Sequence, residues 1–253
     1  MPITVHIVAS DTADHSQVIA SGSIIHVITD QERTLFGITD APLKSAINTS
    51  FGKSPNDAYV KSPTPWGDLY TTYGWPQVQT RLDVIPSETK VLGITSEPVI
   101  LGTQVFENTS DTPATFNANI TDQVAETVES NWSETYGFEV GQTISYGVDF
   151  GGVNIGGETS MSFSSEFGKG GSQSQEVTVS MGSGVTIDVP AHQSRTAQLS
   201  ASRGTLQLQV TYAVSLTGDA AVNYNPTYKG HHFFALGING VMQAGGIQTN
   251  YQI

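Results

Sequence analysis

The sequence contains no cysteine, which excludes disulfide bonds, thiolate nucleophiles and cysteine-ligated zinc. It has 10 Lys and Arg residues against 23 Asp and Glu residues, giving a net charge of -13. Such an acidic chain lacks the positive patch that attracts nucleic-acid phosphates, so we expect no nucleic-acid partner. No run of 18 apolar residues occurs, so no segment predicts a transmembrane helix.

The short motifs of several enzyme classes are also missing. There is no P-loop, no G-x-S-x-G nucleophile elbow and no H-E-x-x-H zinc motif. We therefore expect a protein without catalytic residues, metal or cofactor. Sequence spacing does not reveal a glycosidase carboxylate pair, so a carbohydrate-active enzyme stays open as an alternative. The N-terminus, MPITVHIVASD, has no basic or long apolar region, so we expect a soluble form that is secreted or released without an evident signal peptide.

Charge divides the chain into two compositional regions. No Lys or Arg lies between Lys90 and Lys169, whereas this stretch contains eleven Asp and Glu residues. The strand pattern also changes near residue 100, and 253 residues suffice for one large or two modest domains. We therefore predict a head domain at 1–98 for membrane or receptor contact, and an oligomerisation and pore-forming domain at 99–253.

Helical periodicity is scarce, and period-two alternation is common. The clearest helix is Asp40–Asn48, where Asp40 can cap the helix and Pro42 suits its first turn. The strands predicted up to residue 100 are Ile3–Val8, Gly22–Thr29, Pro76–Ile85 and Val91–Ile100. The long alternating segments that follow are Thr115–Val128, Ser133–Phe150, Val153–Phe167, Gln173–Val189 and Thr205–Leu216. Their length predicts a mostly β, elongated fold of long antiparallel strands.

The segment Gln142–Met161 separates apolar from polar residues along two arms. A two-residue turn at Gly151-Gly152 pairs Phe150 with Val153 and sorts both arms into the same two faces. Each arm has nine residues, and a membrane-spanning β-strand needs about 9–11. One hairpin alone leaves its edges unsatisfied in lipid, so the prediction implies a barrel built from several chains. A half-buried hairpin in a soluble β-sandwich alternates in the same way and stays open as an alternative.

Several segments, taken in order, resemble the aerolysin-like β-pore-forming family. They run from VFENTSDTPATFNANITD through NWSETYGFEVG and GGETSMSFSSEFG to VTIDVPAHQSRTAQLSASRGTLQLQV. Upstream, PWGDLYTTYGWPQVQTRLDVI resembles the small hydralysin and nematode cell-death group of that family. Together these segments cover roughly residues 60–216. The resemblance implies an elongated soluble monomer that binds a membrane, assembles into a ring and inserts a β-barrel, with Gln142–Met161 as the insertion loop.

Four aromatic side chains lie within ten residues of one another, namely Trp66, Tyr70, Tyr73 and Trp75. Exposed rings of this kind dock lipid headgroups or glycans, because they are amphipathic. An aromatic core packed between head and body accounts for the same residues, and both interpretations stay open. His231 and His232 are adjacent, so on a strand they point to opposite faces and are expected to be structural. His192, in the motif VPAH, is also expected to be structural.

These patterns together predict a β-pore-forming protein that binds membranes, oligomerises and permeabilises target cells. The side chains expected to face lipid are Ile144, Tyr146, Val148, Phe150, Val153, Ile155 and Met161. The acids expected to line the pore are Asp149 and Glu158. The expected partners are target membrane lipids or a surface receptor, together with further copies of the chain. The alternative is a non-lytic glycan- or lipid-binding protein that keeps the same fold.

Overall fold

The computed structural model describes residues 2–10, 12–130, 143–150, 160–166, 170–180 and 185–253. The strands are β1 (Thr4–Ala9), β2 (Gln17–Ser21), β3 (Ser23–Val27), β4 (Asp57–Tyr59), β5 (Gln79–Val84), β6 (Lys90–Asn108), β7 (Ala114–Ala118), β8 (Thr121–Ser130), β9 (Thr143–Phe150), β10 (Ser160–Glu166), β11 (Gly171–Ser180), β12 (Val185–Val189), β13 (Gln193–Gln209), β14 (Tyr212–Thr217), β15 (Asp219–Tyr228), β16 (His231–Gly237) and β17 (Asn250–Gln252). The helices are α1 (Asp30–Leu35), α2 (Asp40–Phe51), α3 (Pro65–Tyr73) and α4 (Ile238–Ala244). The fold is mostly β, as the sequence predicts. Within the described part of the chain, no helix combines the length and the apolarity needed to cross a lipid bilayer.

The long strands pair as an extended antiparallel ribbon. β6 has 19 residues and β13 has 17, and they pair from Lys90–Gln209 at one end to Asn108–Gln193 at the other. At about 3.3 Å per residue such a strand spans roughly 60 Å. The register shifts between Leu199 and Ser200, beside Gly102, where an added Cβ would lie 2.5 Å from the Ile120 side chain. The absence of a side chain at Gly102 therefore admits the close packing of β6 against Ile120.

One hydrophobic core joins the two ends of the chain. β14 lies in a four-stranded sheet of order β17-β14-β5-β3, and β15 pairs with β4 and β16. The core includes the fully buried side chains of Ile3, Leu82, Val214 and Tyr224. Residues 212–253 thus share a core with residues 3–84, and the predicted boundary after residue 98 falls inside β6. Composition changes along the chain do not report which distant strands pair, and the division into a head at 1–98 and a body at 99–253 stays a prediction.

β9 and β10 pair antiparallel, but at a different register from the predicted one. Asp149 lies opposite Ser160 and Val148 lies opposite Met161, whereas a turn at Gly151-Gly152 places Asp149 opposite Asn154. The predicted turn itself lies outside the described residues. The offset between the two registers is an even number of residues, so each position keeps its face, and Val148 and Tyr146 lie opposite apolar residues whereas Ile144 lies opposite Ser165. The segment therefore still has one mainly apolar face and one polar face at the observed register.

Most of the early elements are where the sequence places them. The helix predicted at Asp40–Asn48 is confirmed as α2, which buries Leu43, Ala46 and Ile47. It ends at Gly52, which has a φ of 92° and supplies a left-handed C-cap. Strands β1, β3 and β5 and the first part of β6 occupy the four segments predicted up to residue 100. β2, β4, α1 and α3 are additions to those predictions, and all four lie in the first 98 residues.

Candidate membrane-contact and insertion sites

Five aromatic rings form a surface cluster, here called the aromatic patch, and they are Tyr59, Trp66, Tyr73, Trp75 and Phe233. Trp66 is 47% exposed and Tyr73 is 50% exposed. The Trp66 ring lies 5.2 Å from Phe233 and 6.3 Å from Tyr59. Tyr73 stacks on Trp75 at 4.7 Å with 16° between the ring planes. Side-by-side rings with open faces suit a ligand that is apolar on one side and polar on the other.

The loop that carries Trp66 has an unusual backbone. Trp66, Gly67 and Asp68 all have positive φ, at 62°, 75° and 60°. A left-handed conformation at a bulky residue such as Trp66 costs about 1–2 kcal/mol and persists only where the surroundings fix it. The strained loop projects the indole of Trp66 outward, and an imposed conformation of this kind is typical of a binding residue.

The carboxylate of Asp68 fixes this loop. It accepts hydrogen bonds from the Ser62 hydroxyl at 2.8 Å, the Thr71 hydroxyl at 2.6 Å and the Thr64 backbone N–H at 3.2 Å. The hydrogen bond from Thr71 lowers the pKa of Asp68 most, and those from Ser62 and Thr64 add to it against the effect of burial. The carboxylate is therefore ionised at neutral pH and ties residues 62–64 to Thr71 across the loop.

Tyr70 differs from the other predicted receptor-binding aromatics because it is buried, with 3% exposure. Its hydroxyl lies 2.8 Å from the carbonyl oxygen of Tyr59 and 3.0 Å from that of Asp219, and accepts a hydrogen bond from the Ala221 N–H at 3.3 Å. Burial raises the pKa of Tyr70 far above its ordinary value. Tyr70 therefore anchors α3 to β4 and β15 beneath the patch and does not belong to its surface.

Tyr59 and Phe233 belong to the aromatic patch although the sequence analysis does not select them. Phe233 and Phe234 are neighbours on β16 and point to opposite faces, and the Phe234 ring packs 5.0 Å from Phe51 in the core. The Phe233 ring faces the patch, 6.2 Å from Tyr73. Strand alternation in the HHFF segment predicts that Phe233 and Phe234 face opposite sides of the strand. Only the pairing of β15 with β4 places Phe233 beside Trp66.

The second site is the strand pair β9–β10, in which two apolar side chains of β9 are buried. Ile144 is fully buried and Tyr146 is 8% exposed. Both belong to the same cluster as Ile3, Val5 of β1 and Tyr212 of β14. Burial and the nearby Tyr146 hydroxyl raise the pKa of Tyr212 well above its ordinary value. Two residues that the sequence predicts to face lipid are thus sheltered from water in this structure.

The opposite face of β9 is open to solvent. Asp149, predicted to line a pore, has a side chain 48% exposed, and its carboxylate lies 3.2 Å from Nε2 of His6. Ser145, Ser162 and Ser164 are also exposed. For Val148, Phe150 and Met161 the structure describes only the backbone. Val153, Ile155 and Glu158 lie outside the described residues, so their assignments stay predictions.

The histidines that the sequence predicts to be structural contact protein groups. Nδ1 of His232 lies 2.7 Å from the carbonyl oxygen of Tyr224, and the His231 ring packs 5.8 Å from Phe234. His192, in a turn with a φ of 57°, lies 2.9 Å from Asp111. Across the described ranges, no group of three His, Cys, Asp or Glu side chains has the geometry to hold a metal ion.

Comparison with known proteins identifies relatives with toxin names. U-megalopygitoxin(8)-Mo12 of Megalopyge opercularis is 34% identical over 245 residues, which are 96% of this chain and 83% of the relative. U-megalopygitoxin(8)-Mc8 of Megalopyge crispata matches with the same identity and the same coverage. No protein-family model matches the sequence.

Among solved structures, the chain resembles parasporin-2, described as a Bacillus thuringiensis toxin that recognizes cancer cells. The TM-score is 0.60, with 21% sequence identity, and the alignment covers 91% of each chain. At that identity the likeness establishes the fold. The chain therefore belongs to the family of the U-megalopygitoxin(8) proteins, and its fold is the aerolysin-like fold of β-pore-forming toxins.

Proposed function

We propose that this protein is a non-enzymatic β-pore-forming toxin. A secreted, soluble form binds a target membrane or a surface receptor through the aromatic patch. Bound chains then assemble into a ring, and each contributes the 142–161 segment to a transmembrane β-barrel. Several chains are required, because a single hairpin leaves unpaired backbone groups at both edges in lipid.

The observation that carries this proposal is the two-faced strand pair β9–β10. Its apolar face includes Ile144 and Tyr146, which are buried, while its polar face carries serines and Asp149 in contact with water. One face suited to lipid and one suited to a water-filled lumen are what a barrel strand requires. Family membership supports the same function, because the relatives carry toxin names.

Dye release tests the proposed function. The purified protein is added to dye-loaded liposomes of several compositions and to cells, and the same samples are examined for SDS-resistant oligomers. We expect release together with oligomers on at least one membrane. Absence of both from every liposome and cell type contradicts pore formation.

A pair of variants tests the assignment of faces. Val148→Asp places a charge on the face expected to meet lipid, where near the bilayer centre it costs on the order of 2 kcal/mol per chain. Ser162→Asp adds the same charge to the exposed face and is the matched control. We expect at least tenfold less release per folded molecule from Val148→Asp, with the folded fraction of each variant measured by urea unfolding, and near-normal release from Ser162→Asp. Equal release from both contradicts the assignment.

The aromatic patch favours a second candidate function, a non-lytic glycan- or lipid-binding protein. The patch is formed by α3, β4 and β16 and includes no residue of the β9–β10 pair, so it could bind a ligand without any insertion. Stable binding to liposomes or cells, without dye release or oligomers, favours this function over pore formation.

A further inference from the structure

The strand β1 occupies the edge of β9 that β10 leaves free. The sheet order is β10-β9-β1-β2, so β10 pairs with one edge of β9 and β1 pairs with the other. The β1–β9 ladder is parallel and runs from Thr4–Ser145 to Ala9–Phe150. It covers six of the eight residues of β9. The N-terminal hairpin β1–β2 is called the latch below.

The latch holds β9 on both faces as well as along its edge. On the buried face, Ile3, Val5 and Ile7 of the N-terminal segment belong to one apolar cluster with Ile144 and Tyr146. Along the edge, the Ser145 N–H donates a hydrogen bond to the Ile3 carbonyl oxygen at 3.2 Å. On the exposed face, His6 lies 3.2 Å from Asp149, but both side chains are about half exposed, so this pair contributes little. Apolar burial and the backbone ladder therefore dominate the attachment.

The latch is also the main backbone link between the hairpin and the rest of the protein. In the described ladders, β9 pairs only with β1 and β10, and β10 pairs only with β9. The ribbon of β6 and β13 forms a separate sheet. In a barrel built from such hairpins, β9 keeps β10 on one edge and must pair its other edge, the one that β1 occupies, with a strand of a neighbouring copy. The β1–β9 ladder therefore has to open before β9 can take part in a barrel.

We propose that the latch is an autoinhibitory element that keeps the insertion segment in the soluble fold, and that separation of β1 from β9 is required for pore formation. This inference rests on the proposed function. It also assigns a role to a segment, Thr4–Ser21, that lies outside both the aromatic patch and the inserted residues. Membrane binding and ring assembly then favour the state in which the β1–β9 ladder is open.

An engineered disulfide tests the latch directly, because the chain contains no native cysteine. Thr4 pairs with Ser145 of β9 on one side and with Ser21 of β2 on the other, and all three side chains are exposed. Neighbouring strands lie about 4.8 Å apart, within the range that a disulfide can bridge. Thr4→Cys/Ser145→Cys locks the latch to the hairpin. Thr4→Cys/Ser21→Cys is the matched control, which staples the latch internally and leaves β9 free to separate.

Dye release from liposomes or cells is measured for both oxidised variants, with disulfide formation verified by mass spectrometry. We expect oxidised Thr4→Cys/Ser145→Cys to release dye at least tenfold more slowly than the wild type, and a reductant to restore its rate. Oxidised Thr4→Cys/Ser21→Cys should match the wild type. Full release from the completely oxidised locked variant overturns the latch and leaves pore formation standing. No release from the wild type or from either reduced variant overturns pore formation itself, and the latch with it.

Discussion

Gly218 occupies a position where the backbone leaves no room for a side chain. It lies between β14 and β15 with a φ of 93°, and an added Cβ would lie 2.2 Å from the Gln77 carbonyl oxygen. We expect Gly218→Ala to lower the free energy of unfolding by more than about 3 kcal/mol, because the backbone must move. Urea unfolding followed by tryptophan fluorescence measures this change.

Gly74→Ala provides the matched control for that substitution. Gly74 also has a positive φ, at 66°, but nothing lies within 4 Å of an added Cβ. We therefore expect Gly74→Ala to lower the free energy of unfolding by only about 1–2 kcal/mol, which is the cost of a left-handed backbone at a non-glycine residue. Equal losses in the two variants would contradict the claim that the Gln77 carbonyl is what excludes a side chain at Gly218.

Glu32 is a buried carboxylate near the start of α1, with 1% exposure. Its oxygens lie 2.8 Å from His26 Nε2, 2.8 Å from the Thr29 backbone nitrogen and 2.9 Å from the Thr80 hydroxyl. Burial opposes ionisation, but hydrogen bonds from these three residues outweigh it, so the pKa of Glu32 is lowered. The ionised form is therefore the one that the folded protein stabilises.

Glu32→Gln should change how stability depends on pH. With a lowered folded-state pKa, the contribution of Glu32 is complete above the unfolded-state pKa of about 4.3 and is lost as pH falls through the folded value. We expect the variant to be less stable by about 1–3 kcal/mol at pH 7, because it loses charge-assisted hydrogen bonds. The deficit should narrow below about pH 4, as urea midpoints across pH will measure. A deficit that stays constant down to acidic pH contradicts this role.

Among the structural elements, α3 carries exposed aromatic residues that we expect to bind the target and a buried one that we expect to stabilise the fold. Trp66 and Tyr73 expose their rings, whereas Tyr70 uses its hydroxyl internally. We expect Trp66→Ala and Tyr73→Ala to weaken binding to target liposomes or cells by about tenfold each, because a stacked aromatic contact contributes about 1–2 kcal/mol. Their urea midpoints should change little. Co-sedimentation and flow cytometry measure the binding.

Tyr70→Phe is the opposite control within the same helix. It removes a buried hydroxyl that bonds two segments, so it should lower the free energy of unfolding by about 1–2 kcal/mol. Binding per folded molecule should be unchanged, because Tyr70 presents no surface to a ligand. If Tyr70→Phe weakens binding while Trp66→Ala does not, the aromatic patch is not the contact surface.

The elements show where sequence periodicity is sufficient and where it fails. α2 is predictable because an acid in the first turn, Pro42 and an apolar stripe all indicate the same helix, although its N-cap is Thr39 and not the predicted Asp40. α3 is not predictable in this way. The positive φ values at Trp66 and Asp68 accompany side-chain hydrogen bonds to Asp68 from Ser62 and Thr71, and hydrophobic periodicity carries no signal for such bonds. The face sorting of β9 follows from alternation, whereas its register depends on the partner strand, and a glycine pair alone does not determine a turn.

For the molecule as a whole, the sequence predicts class and family better than connectivity. A mostly β fold and an insertion segment follow from long alternating runs, and the resemblance to aerolysin-like proteins matches the observed fold. The parallel contact of β1 with β9 joins residues about 140 positions apart, and local periodicity carries no signal for it. The same holds for the core shared by β5 and β14. Both features are long-range pairings, and the proposed latch depends on the first.

The acidic composition of residues 91–168 predicts a negatively charged lumen for the proposed pore. The sequence has no Lys or Arg between Lys90 and Lys169, and the residues assigned to the lumen of the proposed pore are Asp149 and Glu158. Ring assembly repeats these acids once per chain, and a ring of carboxylates favours cations. We therefore expect the reversal potential across a KCl gradient to indicate preference for potassium over chloride.

Asp149→Asn/Glu158→Gln should weaken that preference, because it removes the repeated charge without changing side-chain size. Asp111→Asn removes one charge per chain where the first variant removes two, and Asp111 pairs with His192 beside the start of β13, outside the inserted segment, so selectivity should be unchanged. An anion-selective wild-type pore would refute the lumen assignment. Equal effects of the two variants would instead attribute selectivity to the net charge of the protein, because only the first variant alters residues of the inserted segment.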